Sequence, residues 1–354
     1  MTPRTLVILV VLGIVALGGG WYFGIAANPG EQRSVDAGKL MYPDLASKLQ
    51  AATRIEIVHQ GKTTVIEKRP NGQWGLADRN GYRVQDTKLH GMLTALTELR
   101  LMEPRTSDPK QFARLGVEDP NGKDATSDLL RVLDAGGMPI VSLIVGHRRV
   151  RTQGNVPDEV YVRRPDDSQV WLAEGNLQVD ADPQQWFDRD VLNIEHSRIA
   201  GVVVTHPDQT LVFKRDGDKL ILTAPADHPK LDNYKQEDVA RALELLTLQD
   251  VRPDKEKLGD EVGQAVFTTT DGLAVTATVS QAGKDVWARF AVTGKEKAAP
   301  EAAKLSAKLS GWVYQIGSWK EKSLVPTLDD LKAPPPPKPA ADSATDAPAP
   351  APAK

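Results

Sequence analysis

Residues 54–76 read RIEIVHQGKTTVIEKRPNGQWGL, and this stretch decides the fold because a much altered copy, GVVVTHPDQTLVFKRDGDKLIL, returns at residues 201–222. The similarity continues to about Pro104 in the first copy and to about Pro253 in the second. The matched positions are Ile55/Val202, Ile57/Val204, His59/His206, Lys68-Arg69/Lys214-Arg215, Trp74/Leu220, Leu76/Leu222, Leu93/Leu243, Leu96/Leu246 and Leu101/Val251. An internal repeat of this length predicts a body built from two related halves.

Each copy predicts the same order of elements, a strand, a hairpin and a helix. Apolar residues alternate with polar ones along Arg54–His59, and Asn71-Gly72 and Asp216-Gly217 are dipeptides typical of tight hairpins. Asp86 is placed to cap a helix that Pro104 ends, and the corresponding second helix is expected to include Leu246. The apolar faces of the two predicted helices are Leu89, Met92, Leu93, Leu96 and Leu99 in the first, and Val239, Leu243 and Leu246 in the second.

Further strands follow in each half, and their clustering favours α+β modules of mostly antiparallel sheet rather than strict βαβ alternation. The expected strands are Leu129–Leu133, Pro139–Val145, Val160–Arg163, Val170–Leu172, Ala265–Thr270, Leu273–Val279, Val286–Val292 and Trp312–Ile316. Residues 299–309 predict an inserted helix with no counterpart in the first half. The predicted modules are residues 51–195 and 196–332, preceded by a linker and short helix over 28–50.

The N-terminus predicts a single transmembrane helix. Residues 6–27 carry no charge and, as a helix, would be about 33 Å long, enough to span the hydrocarbon core. Arg4 on the short side, within a cytoplasmic end of residues 1–5, and interfacial Trp21 and Tyr22 favour a cytoplasmic N-terminus. The alternative is a cleaved signal peptide ending at Ala27. In either interpretation the bulk of the chain is exported, in a bacterium to the periplasm. The transmembrane helix would make it a single-pass protein of the inner membrane.

The C-terminus has the opposite composition. Residues 333–354 read APPPPKPAADSATDAPAPAPAK and offer almost nothing apolar to bury. This composition predicts a disordered, partly polyproline-like tail. Either a docking or spacer role or a solvated end without a role is compatible with it.

Composition excludes several kinds of function. A net charge of -3 without a long basic run gives no electrostatic footprint for nucleic acid. With no cysteine, the chain has no disulfide, thiolate metal site or cysteine nucleophile. No phosphate loop, GxSxG elbow or HExxH helix occurs, so we expect no nucleotide, no cofactor, no metal and no catalytic residue.

One cluster is a candidate ligand site. Arg148, Arg149 and Arg151, with Arg163-Arg164 on a neighbouring strand, could bind a phosphate or carboxylate of a glycan or lipid head group. The alternative is a solvated loop, because surface charge needs no function.

Other chemically capable residues have simpler interpretations. His59 and His206 match each other, but neither has a carboxylate or histidine at ligand spacing. Carboxylates that are adjacent in sequence do not face each other across a substrate as hydrolytic pairs do. Tryptophans in strands pack in a core more often than they bind sugars. The residues concerned are Glu118, Asp119, Asp188 and Asp190 among the acids, and Trp74, Trp171, Trp186, Trp312 and Trp319 among the tryptophans.

A set of short motifs resembles the bacterial family called domain of unknown function 4340, over roughly residues 40–330. The motifs are Tyr42-Pro43-Asp44-Leu45, Gly72-Gln73-Trp74, Gly81-Tyr82, Leu115-Gly116-Val117-Glu118-Asp119-Pro120, Tyr161-Val162-Arg163-Arg164, Trp171-Leu172-Ala173 and Trp186-Phe187-Asp188-Arg189. The resemblance implies a membrane-anchored, periplasm-facing protein encoded beside an ABC-2-type ATPase, its permease and a gliding-type auxiliary protein. It carries over no catalytic residues. The second copy departs from the motifs at Leu220, where the first has Trp74.

Two hypotheses of function follow. The first is a non-catalytic, membrane-anchored accessory subunit that binds an ABC-transporter permease or a gliding-type auxiliary protein. The second is an envelope enzyme or a module that binds glycan or anionic lipid through the arginine cluster.

Overall fold

The computed structural model describes residues 36–149, 157–255 and 258–334. Contacts divide the chain into two compact units between Asp188 and Arg189, whereas the sequence placed the boundary at 195/196. Residues 190–192 account for the difference, because they already form a strand of the second unit. The predicted membrane segment 6–27, with its flanking Arg4, Trp21 and Tyr22, lies outside the described residues. Within those ranges no helix is long and apolar enough to cross a membrane.

Within the described residues, the first unit is one nine-stranded sheet with three α-helices. In chain order its elements are α1 Leu45–Lys48, β1 Ala52–His59, β2 Lys62–Lys68, β3 Trp74–Leu76, β4 Tyr82–Arg83, α2 Asp86–Glu98, β5 Arg100–Thr106, α3 Phe112–Leu115, β6 Asp128–Asp134, β7 Pro139–Arg149, β8 Glu159–Arg163 and β9 Val170–Glu174. The strand order is β4-β3-β2-β1-β6-β7-β8-β9-β5.

The second unit is an eight-stranded sheet, a separate two-stranded sheet and three helices. Its elements are β10 Asp190–Leu192, β11 Ile199–Thr205, β12 Thr210–Asp216, β13 Lys219–Ala224, α4 Asn233–Ala240, β14 Leu246–Thr247, β15 Asp250–Pro253, β16 Asp260–Thr269, β17 Leu273–Ala282, β18 Asp285–Gly294, α5 Ala299–Leu309, β19 Trp312–Ile316 and α6 Glu321–Leu324. The large sheet has the order β13-β12-β11-β16-β17-β18-β19-β15, and β10 pairs with β14.

The two large sheets repeat one strand order. In the second sheet, β11, β12 and β13 take the places of β1, β2 and β3, and β15–β19 take the places of β5–β9. β4 has no counterpart there. All neighbours in both sheets pair antiparallel. The predicted α+β class with antiparallel sheets is therefore confirmed.

The core explains why the repeat keeps its apolar pattern. The matched residues Ile55, Ile57, Leu76, Leu96 and Leu101 are buried in the first unit, as Val202, Val204, Leu222, Leu246 and Val251 are in the second. Successive strand residues point to opposite faces, so the alternation places one apolar face against the helices. The inserted helix over 299–309 is confirmed as α5, and Arg198 fastens it through Nη1 and Nη2 bonds of 3.0 and 2.7 Å to Glu301.

The expected second helix was too long. Helix α4 ends at Ala240, a 3-10 turn covers Arg241–Leu243, and Leu246 begins β14. Between them Leu245 has φ +44°, a left-handed conformation that cannot continue a helix. Leu246 instead pairs with Leu192.

Two expectations about the first helix were also wrong. Asp86 is the first helical residue rather than its cap, because Gln85 occupies the N-cap. Helix α2 ends at Glu98, and Pro104 lies within β5. A proline fits there because β5 is the last strand of its sheet and has a neighbouring strand on one side. In such a strand, proline's missing N–H need not interrupt the ladder of hydrogen bonds.

Replacement of Phe267 by alanine tests the position of the second core. Phe267 is fully buried in β16, so Phe267→Ala should lower the free energy of unfolding by about 3–5 kcal/mol. The neighbouring Thr268 is exposed and donates one 3.1 Å hydrogen bond to Gly201 O, so Thr268→Ala should cost about 1 kcal/mol. Urea denaturation followed by tryptophan fluorescence measures both, and equal losses would contradict the assigned core face.

Candidate functional site

The second unit contains a cavity of about 490 Å³ beside its edge strand. We call it the α4 groove; it is lined by β13 through Lys219–Ile221, by α4 through Tyr234 and Glu237, and by His196 and Arg241. Hydrophobic and charged side chains therefore meet in one groove. Ile221 is 36% exposed and Tyr234 84% exposed.

Local sequence sets the geometry of this groove. The Asp232 carboxylate accepts a 2.8 Å hydrogen bond from Tyr234 N, which caps α4 and fixes Tyr234 in its first turn. One turn further, the buried Gln236 accepts a 2.9 Å bond from Leu222 N through its side-chain oxygen. That bond fastens α4 to β13, because a buried amide of the last strand is satisfied by a helix side chain.

A histidine and a glutamate form the polar end of the α4 groove. Glu244 Oε1 lies 2.5 Å from His196 Nδ1 and accepts a 2.9 Å bond from His196 N. On the other side of the ring, His196 Nε2 is 3.3 Å from Arg241 Nη2 and 4.0 Å from Glu237 Oε1. Burial opposes ionisation of Glu244, but the bonds from His196 and the nearby Arg241 outweigh it and hold the pKa of Glu244 below its ordinary value.

The α4 groove brings several kinds of side chain together. The residues that line the α4 groove supply charged, amide, phenol and aliphatic groups, without a serine, threonine or cysteine beside the histidine. Across the described ranges, no three histidine, aspartate or glutamate side chains converge as a metal site would require. The groove offers a peptide or a small polar molecule both hydrogen bonds and an aromatic surface.

The corresponding space in the first unit is filled. There β4 and the 3-10 turn Pro183–Trp186 occupy the side of β3 and α2, and Tyr82, Trp186 and Phe187 are 0–2% exposed. Tyr82 OH donates 2.9 Å to Asp188 O, and Trp186 Nε1 donates 2.8 Å to Asp180 O. The second unit has an equivalent segment, since Asp232 N donates to Leu331 O as Gln85 N does to Trp186 O, and Leu231 bridges Lys332 as Val84 bridges Phe187. Leu331 and Lys332 thus stand where the first copy has Trp186 and Phe187, and this loss of aromatic residues was the available signal in the sequence.

The arginine cluster is already engaged within the first unit. Arg148 Nη2 is 2.8 Å from both Asp158 Oδ2 and Asn176 Oδ1, and Arg149 Nη1 is 3.5 Å from Glu159 Oε2. Arg151 lies outside the described residues. Binding of a glycan or anionic lipid by these arginines stays a prediction, and for Arg148 a ligand would compete with two present partners.

Arg163 and Arg164 shape loops of the first unit. The guanidinium of the buried Arg163 lies 4.6 Å from the Phe112 ring centroid and donates to Val117 O at 3.2 Å. Arg164 Nη2 donates 2.7 Å to Met41 O, and its guanidinium lies 5.5 Å from the Tyr42 ring centroid. Neither side chain joins Arg148 in a described contact.

The paired histidines share one main-chain contact, but His59 Nδ1 also lies 2.9 Å from Asp128 Oδ1, a carboxylate partner that sequence spacing did not predict. His59 Nδ1 lies 3.2 Å from Ser127 O and His206 Nδ1 lies 3.0 Å from Val262 O, at equivalent places in the two strand orders. His206 Nε2 is also 3.1 Å from Pro326 O. These rings link strands to neighbouring segments.

The other acids and tryptophans are used mainly in packing and turns. Trp171 and Trp186 are buried, whereas Trp319 is 69% exposed. Asp188 Oδ2 is 2.5 Å from Arg83 Nε, and Glu118 Oε1 accepts a 2.5 Å bond from Thr126 N. Burial opposes ionisation of Glu118, yet the bonds from Thr126 leave its pKa below the ordinary value.

The fold defines a class, a protein of two α+β units built on antiparallel sheets. Each unit has a surface cavity, the α4 groove in the second and one of about 430 Å³ beside Met41 and Trp171 in the first. The chain belongs to the family described as Domain of unknown function (DUF4340), which matches residues 74–263, more than half of its length. The match runs from β3 to β16 and so includes parts of both units. No curated protein and no solved structure matches the chain significantly.

The ionised Glu244 should make stability depend on pH. Because its pKa is lower in the native state than in the unfolded chain, its stabilising effect is complete above the unfolded pKa and is lost as pH falls through the native value. Glu244→Gln should therefore cost about 1–2 kcal/mol at pH 7 and progressively less below about pH 4.5.

Urea denaturation of both proteins between pH 7 and pH 3 measures this difference. Asp218→Asn is the control, since Asp218 lines the same groove but forms no ion pair with the described residues. A cost for Glu244→Gln that stays constant down to pH 3 would contradict the role of its charge.

Proposed function

We propose that this chain is a non-catalytic accessory subunit of an ABC-2-type export system, anchored in the bacterial inner membrane by residues 6–27, with both units in the periplasm. In this proposal the exported body binds partner proteins, a permease or a gliding-type auxiliary protein, and another subunit hydrolyses ATP. The observation that carries the proposal is the α4 groove, in which the exposed Tyr234 and Ile221 lie beside charged side chains.

The chemistry of the groove supports binding as its purpose. His196 lies within hydrogen-bond distance of both Glu244 and Arg241, and no serine, threonine or cysteine is among the residues lining the groove. A histidine held between a carboxylate and a guanidinium is fixed in its orientation. Exposed apolar side chains at a groove rimmed by polar groups are a feature of protein interaction sites.

The sequence supports the anchor and the partner. Residues 6–27 have the length and apolar character of a single membrane span, and Arg4, Trp21 and Tyr22 favour a cytoplasmic N-terminus. An export system provides a membrane partner for such a helix and a periplasmic surface for the body it tethers. The family's typical genomic neighbourhood, beside an ABC-2-type ATPase and permease, makes that system the proposed partner.

Co-purification tests this function. The full chain, extracted from bacterial membranes in a mild detergent, should bring down an ABC-2-type permease or a gliding-type auxiliary protein identified by mass spectrometry. A control in which an unrelated single-span helix replaces residues 6–27 should keep the partner if the body binds it, and lose it if the helix does. Recovery of a lone monomer under gentle extraction would contradict the proposal, and glycan or anionic lipid bound in place of protein would favour the arginine-cluster hypothesis.

A further inference from the structure

The chain leaves the described part of the second unit beside the start of α4. Ala333 N donates a 3.1 Å hydrogen bond to Lys230 O, and Lys332 O accepts a 3.0 Å bond from Lys235 Nζ in the first turn of the helix. Residues 335–354, which follow the described range, therefore begin next to α4. This helix forms one wall of the α4 groove.

The repeat shows how this end of the second unit differs from the first. Gln85 and Asp232 are the N-caps of α2 and α4 and hold equivalent segments, so Thr87 in the first unit corresponds to Tyr234 in the second. Beyond those segments the first copy continues without a proline into β10, whereas residues 334–339 of the second read PPPPKP. The aromatic residue on the helix and the proline run beside it therefore occur together, in the second unit.

A run of prolines favours the polyproline II conformation, which has no internal hydrogen bonds. Its carbonyl groups are hydrogen-bond acceptors, its prolines lack N–H donors, and its rings present apolar surface. Because the prolines already restrict the backbone, little conformational entropy is lost when such a segment binds. The segment therefore suits a surface that has an exposed aromatic ring and unused hydrogen-bond donors.

The α4 groove has both features. Tyr234 is 84% exposed on α4, and Ile221 on β13 is 36% exposed. The Tyr234 hydroxyl, the Asn233 amide and the Lys219 ammonium group are donors of residues that line the groove. Within the described part of the chain, none of these three groups forms a hydrogen bond or an ion pair. A segment whose backbone only accepts hydrogen bonds complements these donors.

The charge of the groove complements the one basic residue of the proline run. Lys338 lies between the prolines at 337 and 339. The α4 groove has two carboxylates, that of Asp218, which forms no ion pair with the described residues, and that of Glu237, whose Oε1 is 4.0 Å from His196 Nε2. A lysine ammonium group in the groove would therefore be attracted to both.

The proline run is long enough to reach along the groove. In the polyproline II conformation each residue advances about 3.1 Å, so residues 335–339 extend roughly 16 Å. Along α4, at about 1.5 Å per residue, Tyr234 and Glu237 are separated by roughly 4.5 Å. A segment that begins beside Lys235 can therefore pass over Tyr234 and reach Glu237.

We propose that residues 335–339 bind in the α4 groove in the polyproline II conformation, with proline rings against Tyr234 and Lys338 near Asp218 and Glu237. The chain then covers its own groove, and a partner protein has to displace this segment. That competition rests on the proposed function, whereas binding of the segment does not.

Photocrosslinking of the purified full chain in mild detergent tests this contact. The photoreactive residue p-benzoylphenylalanine replaces Tyr234, which keeps an aromatic ring at this position, and mass spectrometry maps the adduct. Lys322 is the control position, because its Nζ lies 3.2 Å from Asp330 Oδ1, near the same end of the described chain, but it does not line the groove. We expect position 234 to give at least about tenfold more adduct on residues 335–341 than position 322.

Charge reversal tests the placement of the segment. Lys338→Glu should lower the adduct yield at position 234 about threefold to fivefold, because repulsion from two carboxylates replaces attraction. Addition of Asp218→Lys should restore at least about half of the original yield, with thermal unfolding to check that this variant folds. Lys354→Glu is the matched control, since it makes the same change of charge outside the proline run, and it should alter the yield less than about twofold.

Three results would overturn the inference. They are equal yields at positions 234 and 322, an adduct at position 234 that joins two copies of the chain, and equal effects of Lys338→Glu and Lys354→Glu. Co-purification of a permease is measured separately. If a permease co-purifies while the segment does not bind, the proposed function stands without this inference. If the adduct forms and no partner is recovered, the proposed function fails and binding of the segment stands.

Discussion

Closure of antiparallel sheet edges is the constraint on which this structure depends. Main-chain groups inside a sheet are satisfied by neighbouring strands, but those of the last strand need another partner or solvent. The first unit meets the requirement with β4 and a layer of buried aromatic residues. The second unit meets it in part, with the side chain of Gln236 on Leu222 N. One topology thus satisfies its last strand in two different ways.

Much of this fold could be predicted from the sequence, because hairpin chemistry and apolar alternation are local signals. Asn71-Gly72 and Asp216-Gly217 lie at the turns before β3 and β13, and α5 has its predicted bounds. Other features depend on distant contacts. Leu246 continued a helical pattern, yet its pairing with Leu192 and the left-handed backbone of Leu245 place it in a strand. Hydrophobic periodicity alone does not reveal where contacts between distant residues override the local preference.

The candidate site was harder to predict than the fold. The sequence suggested Arg148 as a ligand-binding residue. Its partners Asp158 and Asn176 follow later in the chain, and no pattern of sequence spacing predicts that they lie beside it. The α4 groove lies beside β13, and the second copy has no strand there that corresponds to β4. Sequence motifs indicate elements that are present, so they do not reveal a missing strand. His196 and Glu244 are 48 residues apart, and they meet because β11, β12, β13 and α4 fold back between them.

Both sheets finish with a strand taken from the middle of their sequence. β5 precedes β6 along the chain, yet its partner strand is β9, and the partner strand of β15 is likewise the later β19. Each unit therefore cannot complete its sheet until its last strand has been synthesised. Since such distant pairings slow folding, a newly made chain would carry an unfinished edge for most of its synthesis, and the first unit could mature while the second is still incomplete.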